Sequence, residues 1–233
     1  MGTSALSSLV NIFLEPKKAL ADVQGHTRWL WYPFLISVVV TTAFSVWYYL
    51  SVDMAWLVDQ MIANMSDKMD PEKADAIRAS MTRGRFLFGS LIGVPLVIGV
   101  IYVLQTVYLL LVSKLAGYEV QSFGKWFNFT AWTSLPNVLG TLASAIALLF
   151  SSGNQVSLYK TDVTSINTLL FHLPQSSTWF NTVQNLHLTL FWALGLMIFG
   201  FSRWTGRSLG KSAVVILAPY VVIYGIVIAV KLT

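Results

Sequence analysis

The chain has 233 residues, of which 55% are hydrophobic and 11% are charged, and its formal net charge is +5 at pH 7. Soluble domains carry roughly 25% charged residues, so this composition excludes an ordinary soluble protein. The sequence contains no cysteine, which excludes disulfide bonds, thiolate metal sites and cysteine catalysis.

Residues 1–28 form the first predicted element and precede any long apolar run. Four apolar residues in this segment recur at the spacing of one helix face: Leu6, Leu9, Val10 and Phe13. Pro16 then suits the first turn of a second short helix. The pattern predicts two amphipathic helices at the inner surface of a membrane, and the alternative is a tail that caps the spanning helices. We expect no cleavable signal peptide, because no basic stretch precedes an apolar run here.

Five windows are long and apolar enough to cross a bilayer, for which about 20 residues are needed. They are residues 31–51, 86–113, 127–150, 186–201 and 213–230. None contains Asp, Glu, Lys or Arg, since a charge at the centre of a spanning helix costs about 2.5–3.5 kcal/mol. We therefore predict an all-α polytopic integral membrane protein. Residues 1–233 would form a single membrane domain, a bundle of five transmembrane helices with amphipathic interfacial helices.

The distribution of basic residues predicts the orientation. Loop 114–125 carries two basic residues and loop 202–212 carries three, whereas residues 151–185 carry one. Because cytoplasmic loops are enriched in Lys and Arg, we expect a cytoplasmic N-terminus and a periplasmic or outside C-terminus, in a bacterial inner (plasma) membrane. Eight basic residues are candidates for contacts with lipid head groups: Lys17, Lys18, Arg83, Arg85, Lys125, Arg203, Arg207 and Lys211.

Residues 53–85 are predicted to form a helical hairpin on the outer surface, with Asp70 and Pro71 marking a helix start. Methionines recur in this segment, and thioether clusters can bind Cu(I). One hypothesis is therefore a metal site with these candidate ligands: Met61, Met65, Met69, His172 and His187. The competing interpretation, an adaptable apolar face against lipid or the spanning helices, is favoured. We predict no cofactor, and residues 151–185 should form an outer loop.

The third window is unusually polar for a membrane span. Six hydroxyl and amide side chains fall within an arc of about 100° on a helix: Thr130, Thr133, Ser134, Asn137, Thr141 and Ser144. We call these six residues the polar stripe. It forms either a packing seam between helices or a polar path for a solute or head group, and the seam is favoured. Pro136 should kink the helix and, in the second case, free the carbonyl of Trp132 for a ligand.

Small and aromatic residues suggest how the helices pack. The small-xxx-small stretch GSLIG at residues 89–93 predicts a close helix contact on the second span, and Gly195 and Gly200 predict the same on the fourth. Trp126 and Trp204, near the ends of spans, are interpreted as aromatic anchors at the membrane surface.

Three stretches of the chain resemble the Yip domain family (Ypt-interacting membrane proteins), in its bacterial short form. They are NIFLEPKKALADVQ near the start, SLPNVLG in the third span and SRWTGRSLGKSAVVILAPYVV before the fifth. The positions that match the pattern are interpreted as structural: Pro16, Ser134, Pro136, Gly140, Lys211 and Ala213. The resemblance implies five spans with the N-terminus inside. Eukaryotic relatives act with Rab GTPases at Golgi and endoplasmic-reticulum membranes, usually with a longer polar N-terminal region that this sequence lacks.

The sequence shows no Gly-rich phosphate loop, G-x-S-x-G turn or H-E-x-x-H motif, so no catalytic residue and no enzyme activity is predicted. The favoured hypothesis is a non-enzymatic multi-spanning membrane protein in membrane or lipid organisation. One alternative is a transporter or lipid-carrier translocase that uses the polar stripe, and another is copper handling by the outer methionine face. The expected partners are membrane lipids, together with further copies of the chain or other membrane proteins, and no nucleic acid.

Overall fold

The computed structural model describes residues 4–65, 70–118 and 122–232. These described residues form helices, with no strand among them, which confirms the predicted all-α class. The α-helices are α1 (Ala5–Leu14), α2 (Pro16–Gly25), α3 (Trp31–Ser51), α4 (Met54–Met65), α5 (Pro71–Ser80), α6 (Arg83–Phe88), α7 (Val94–Leu115), α8 (Phe123–Thr133), α9 (Pro136–Leu149), α10 (Leu158–Thr161), α11 (Phe180–Gln184), α12 (Leu188–Thr205) and α13 (Leu209–Leu232).

Five stretches of helix are long and apolar enough to cross a membrane. They are Thr27–Ser51, Arg83–Leu115, Phe123–Leu149, Leu188–Thr205 and Leu209–Leu232. Each coincides with one of the five predicted windows, with ends shifted by at most four residues. Helical structure continues into the polar flanks because side chains cap it there. At the start of α8, for example, the hydroxyl of Ser122 accepts a hydrogen bond from the amide of Lys125.

The second stretch is interrupted by a π-helical turn at Gly89–Gly93, between α6 and α7. Among the described residues, no atom of a packing partner lies within 4 Å of the position that a Cβ on Gly89 or Gly93 would occupy. The predicted close helix contact at these glycines is therefore wrong. They lie instead in a locally distorted turn, the usual form in which π-helical geometry occurs within α-helices.

The third stretch is divided between α8, which ends at Thr133, and α9, which begins at Pro136. At this junction the amide of Leu135 donates to the carbonyl of Trp132 at 3.3 Å, an i to i−3 bond that tightens the turn. The predicted kink thus takes the form of a break between two helices. The polar stripe, derived for one unbroken helix, is split over both.

Contacts within the chain define two compact units. The first contains Met1–Ser37, Ile98–Val138 and Thr189–Thr233, and hence α1, α2, α8 and α13 with most of α7 and α12. Four aromatic side chains of α8 and α12, none more than 3% exposed, form the centre of this unit: Trp126, Phe129, Phe201 and Trp204. The ring centroids of Phe129 and Trp204 are 4.9 Å apart. Trp126 and Trp204 are therefore core residues, and their predicted role as surface anchors is wrong.

The second unit contains Val38–Val97 and Leu139–Leu188. Its α4 and α5 are joined by Arg78 of α5, which forms an ion pair with Asp59 of α4 at 2.9 Å. The buried hydroxyl of Tyr48 in α3 donates to the carbonyl of Val156 at 2.9 Å. The segment predicted as an outer loop is therefore attached to α3, and it contains α10, a π-helical turn and α11.

Gly200 on α12 marks a close approach of helices, as the sequence predicts. A Cβ at this position would lie 2.5 Å from Cε2 of Phe129 and 3.2 Å from Cδ1 of Leu20. We expect Gly200→Ala to lower the free energy of unfolding by about 1–3 kcal/mol, because the core would be overpacked. Thermal unfolding in detergent micelles, followed by tryptophan fluorescence, measures the change.

The close approach predicted at Gly195 on the same helix is wrong, because no atom of a packing partner among the described residues lies within 4 Å of its Cβ position. Gly195→Ala is therefore the matched control, for which we expect a neutral or slightly stabilising effect. Equal unfolding temperatures for the two variants would contradict the close approach at Gly200.

Candidate functional site

The polar stripe does not form one uniform face. Thr130, Thr133, Ser134 and Ser144 are buried, Thr141 is half-buried and Asn137 is exposed. The hydroxyl of Thr133 donates to the carbonyl of Phe129 at 2.8 Å, within its own helix. Ser134 is hydrogen-bonded to the hydroxyl of Tyr102 on α7, which also donates to Ser37 at 3.2 Å. The hydrogen bond of Ser134 to Tyr102 therefore joins two helices within the first unit, as expected for a packing seam.

The carbonyl of Trp132 is not available to a ligand in the way that the presence of Pro136 suggests. It accepts the hydrogen bond from the amide of Leu135 that closes α8. The proline lies at the first position of α9, where the missing N–H costs nothing. The predicted free carbonyl is therefore wrong.

Asn128, which lies outside the polar stripe, makes two polar contacts that fasten α2 to α8. Its side chain is fully buried and points to the opposite side of α8 from Thr130. Its Nδ2 atom donates to the carbonyl of Val23 at 2.9 Å and to that of His26 at 3.3 Å. The last carbonyls of a helix lack the usual i+4 amide; here the carbonyl of Val23 also accepts from the amide of His26 at 3.1 Å, and that of His26 from the amide of Trp29 at 2.9 Å. Asn128 therefore caps the C-terminal end of α2 from another helix, and its only signal in the sequence is an amide between two phenylalanines.

A second bond fastens α2 to α12. The indole Nε1 of Trp204 donates to the carbonyl of Leu20 at 3.1 Å. Three residues along one face of α2 are at most 1% exposed: Ala19, Leu20 and Val23. With one face buried and hydrogen bonds to α8 and α12, α2 is an integral part of the first unit.

Helix α1 is buried on one side and apolar on the other. Its buried residues are Ala5, Ser8 and Ile12. On the uncovered side, three apolar side chains are 68%, 57% and 73% exposed: Leu6, Val10 and Leu14. No charged residue occurs between positions 4 and 14. Such a face suits the boundary between lipid head groups and acyl chains. Of the predicted apolar face, Phe13 instead packs edge-on against Trp192 of α12, at 5.4 Å between ring centroids.

An open cleft of about 650 Å³ lies between the start of α2 and the end of α12, within the first unit. Its lining brings together three of the predicted head-group residues, Lys17, Lys18 and Arg203, with one carboxylate, Glu15. The guanidinium carbon of Arg203 lies 5.2 Å from the centroid of the Phe199 ring, which is a cation–π contact. None of the ion pairs formed by the described residues includes these three cations. We call this feature the basic cleft.

Two other predicted head-group residues, both in the second unit, bind backbone carbonyls. Arg83 donates to the carbonyls of Leu50 and Val52, at 3.2 and 3.0 Å, and so caps the C-terminal end of α3. Arg85 donates to the carbonyl of Ser80 at 2.9 Å. Their guanidinium groups thus have structural partners within the protein, and lipid contact by these two residues stays a prediction.

The remaining three predicted head-group residues lie in the first unit, outside the basic cleft. Arg207 lies over the ring of Tyr118, with 4.4 Å between its guanidinium carbon and the ring centroid. Lys125 is half-buried in the first turn of α8, and Lys211 is exposed in the first turn of α13. The structure does not bring these three side chains into the lining of the basic cleft.

A cavity of about 800 Å³ lies within the second unit. Aromatic and methionine side chains form much of its wall: Tyr48, Tyr49, Trp56, Met61, Met65 and Phe86. On the polar side, Nδ2 of Asn64 donates to Oε1 of Gln175 at 2.9 Å. Met61 and Met65 thus contribute to an adaptable apolar wall. Met69 lies outside the described residues, and copper binding stays a prediction.

The two histidines of the metal hypothesis have different surroundings. His187 Nδ1 lies 3.3 Å from Oδ1 of Asp162, and Gln184 donates to the other carboxylate oxygen at 3.2 Å. Burial raises the pKa of Asp162, but the hydrogen bonds from His187 and Gln184 and the charge of His187 outweigh it and hold the pKa below its usual value. His172 is exposed, with a left-handed backbone. The described residues contain no group of three acidic or histidine side chains that could hold a metal ion.

Five apolar spanning helices identify a polytopic α-helical integral membrane protein. Within that class, the chain belongs to the Yip1 domain family, because the Yip1 domain model matches residues 10–230. The match begins in α1 and ends in α13, so it covers nearly the whole chain and confirms the resemblance carried by the three sequence stretches. Comparisons with curated proteins and with solved structures found no match.

The cap on α2 can be tested with Asn128→Leu. This variant removes the side-chain donor of the carbonyls of Val23 and His26, which keep their backbone donors, so we expect a cost of about 0.5–1.5 kcal/mol. Because the sequence contains no cysteine, an Ala19→Cys thiol on the buried face of α2 reports its release. We expect maleimide to label this thiol slowly in the Ala19→Cys single variant and faster when Asn128→Leu is added.

Asn137→Leu provides the comparison, because that amide is exposed. We expect it to change the labelling rate less than Asn128→Leu does. Labelling at the parental rate in the Asn128→Leu background would show that Asn128 does not hold α2 in place.

Proposed function

We propose that this protein is a non-enzymatic organiser of membrane lipid, acting through α1 and α2 at the cytoplasmic surface of a bacterial inner membrane. The observation that carries the proposal is the pair of faces on α1. One face is buried against protein, while Leu6, Val10 and Leu14 form an uncharged apolar face that the described part of the chain leaves exposed. In water such a face would be unfavourable, whereas lipid covers it.

The physical effect follows from the attachment of this helix. Burying a leucine or valine side chain contributes about 1.5–3 kcal/mol, so three exposed side chains favour insertion of α1 into the interface. An interfacial helix occupies area in one leaflet only. Because α1 packs on α2, and Asn128 and Trp204 bind α2, the inserted helix cannot leave independently of the spanning helices. It would act as a permanent wedge in that leaflet.

The orientation is supported by the charge distribution. The basic residues of the N-terminal segment and of loops 114–125 and 202–212 all belong to the first unit, together with α1 and α2. An accumulation of Lys and Arg favours the cytoplasmic side. The same side carries anionic lipid, which attracts basic residues near the surface at about 1 kcal/mol each.

Cysteine labelling tests this orientation. We expect a membrane-impermeant maleimide to label Leu232→Cys and Lys73→Cys in intact spheroplasts, because C-terminus and hairpin would face outward. Ser7→Cys should react only after the membrane is opened. All three positions are exposed in the structure, so a lack of labelling reports the membrane rather than burial. The reverse pattern would place the N-terminus outside.

Reconstitution tests the wedge. At a fixed protein-to-lipid ratio, we expect the parent to shift vesicle diameters, measured by cryo-electron microscopy, toward smaller values than those of protein-free vesicles. The triple variant Leu6→Ser, Val10→Ser, Leu14→Ser should return the diameters most of the way, because each serine removes apolar area that favours insertion.

The matched control replaces the same three residues with methionine, which keeps the face apolar. It should shape vesicles as the parent does. If the serine variant shapes vesicles equally well, α1 is not the element that acts on the membrane.

A further inference from the structure

We propose that the basic cleft binds the phosphate of an anionic phospholipid head group, with Lys17, Lys18 and Arg203 as its protein ligands. The inference deepens the proposed function and rests on it, because it takes the cleft to open at the membrane surface. It assigns a specific binding site for one lipid, whereas the proposed insertion of α1 requires only a bilayer.

The first support is the concentration of like charge. Two adjacent lysines on α2 and an arginine from α12 line one cleft, and Glu15 is the one carboxylate among its described lining residues. Lys17 and Lys18 also lie in the first turn of α2, where the helix dipole is positive and cations are unfavourable. An anion in the cleft would offset the repulsion among the three cations and the unfavourable interaction of the lysines with the helix dipole. Departures from such local preferences are expected at functional sites.

The second support is that the side chains, and not the backbone, offer the donors. Pro16 has no N–H, and the amides of Lys18 and Ala19 donate to the carbonyl of Glu15 at 3.0 and 3.1 Å. The start of α2 therefore presents few free backbone donors to an anion. The site depends on the ammonium groups and the guanidinium, so substitutions that remove their charge should remove binding.

The third support is the location and shape of the cleft. Arg203 lies in the last turn of the spanning helix α12, the level at which the phosphates of a bilayer lie. Its guanidinium carbon lies over the Phe199 ring, and no hydrogen bond or ion pair with another described residue occupies its N–H groups, which can therefore donate to a phosphate. Trp204 is fixed by its bond to Leu20 and forms an apolar wall. The volume of about 650 Å³ is in the usual range of small-molecule sites.

Native mass spectrometry of the full chain in detergent tests the site, with phosphatidylglycerol titrated against phosphatidylcholine. We expect the parent to retain phosphatidylglycerol preferentially, with one molecule bound first. The triple variant Lys17→Gln, Lys18→Gln, Arg203→Gln should weaken that binding by about tenfold or more, since charge-assisted hydrogen bonds to phosphate are lost. All three side chains are exposed, so the variant should keep the parental melting temperature.

The matched control is Arg28→Gln, Lys114→Gln, Lys231→Gln. It removes the same charge from residues of the first unit that do not line the cleft and are not head-group candidates, and it should bind phosphatidylglycerol like the parent. An equal loss in both triple variants would show attraction to overall charge and overturn the site. Equal retention of the two lipids by the parent would overturn it as well.

Soluble glycerol 1-phosphate separates a lipid site from a site for free phosphate. We expect it to compete only at concentrations far above those of the lipid; competition at equal concentration would overturn the lipid assignment. The two proposals can be contradicted separately. If the unmodified protein retains phosphatidylglycerol through the cleft but does not shape vesicles, only the proposed function is contradicted. If it shapes vesicles without such retention, only the lipid site is contradicted.

Discussion

The structure depends on donors that reach the ends of helices from elsewhere in the chain, because the last carbonyls of a helix lack the usual i+4 amide. In the first unit, the carbonyls of Val23 and His26 at the end of α2 accept backbone amides, and the buried amide of Asn128 donates to both as well. In the second unit, the guanidinium of Arg83 does the same for α3, through the carbonyls of Leu50 and Val52. In both units one polar side chain from elsewhere in the sequence completes a helix end and so fixes two elements to each other. Because α2 is held in this way, both α1 and the basic cleft have defined positions.

The same constraint separates basic residues that look equivalent in the sequence. Arg83 and Arg85 bind backbone carbonyls, and Arg207 lies over the ring of Tyr118. Lys17 and Lys18 are exposed and have no acidic partner among the described residues. An arginine that caps a helix stabilises the fold whatever the lipid composition is. In the proposed site, exposed cations that share a cleft would interact with the anions that the membrane surface supplies, and binding would depend on the lipid composition.

The five spans and the family could be predicted from the sequence because they depend on properties that are local. The cost of a charge in the bilayer leaves long uncharged apolar windows, and the observed spans differ from those windows by at most four residues at each end. The contacts of Asn128 could not be predicted in this way, since its partner Val23 lies 105 residues away. The prediction that the polar stripe forms one continuous face was wrong. It assumed one uninterrupted helix, whereas α8 ends at Thr133. The sequence around a tryptophan near the end of a span is the same whether the side chain faces lipid or protein. The burial of Trp126 could not be predicted, because it depends on rings of α12 that are distant in the sequence.

The proposed wedge and the proposed lipid site meet at one residue. Glu15 follows the last residue of α1 and precedes the first residue of α2, and it also lines the basic cleft. The amide of Glu15 donates to the carbonyl of Asn11, while its carbonyl accepts hydrogen bonds from Lys18 and Ala19. The angle between the two short helices therefore depends on this junction. A phosphate held by Lys17 and Lys18 would act on the first turn of α2, directly after the end of the apolar face of α1. If both proposals hold, a single turn of the chain would couple head-group binding to the depth of the wedge, and a lipid in the cleft would also act on the helix that inserts beside it.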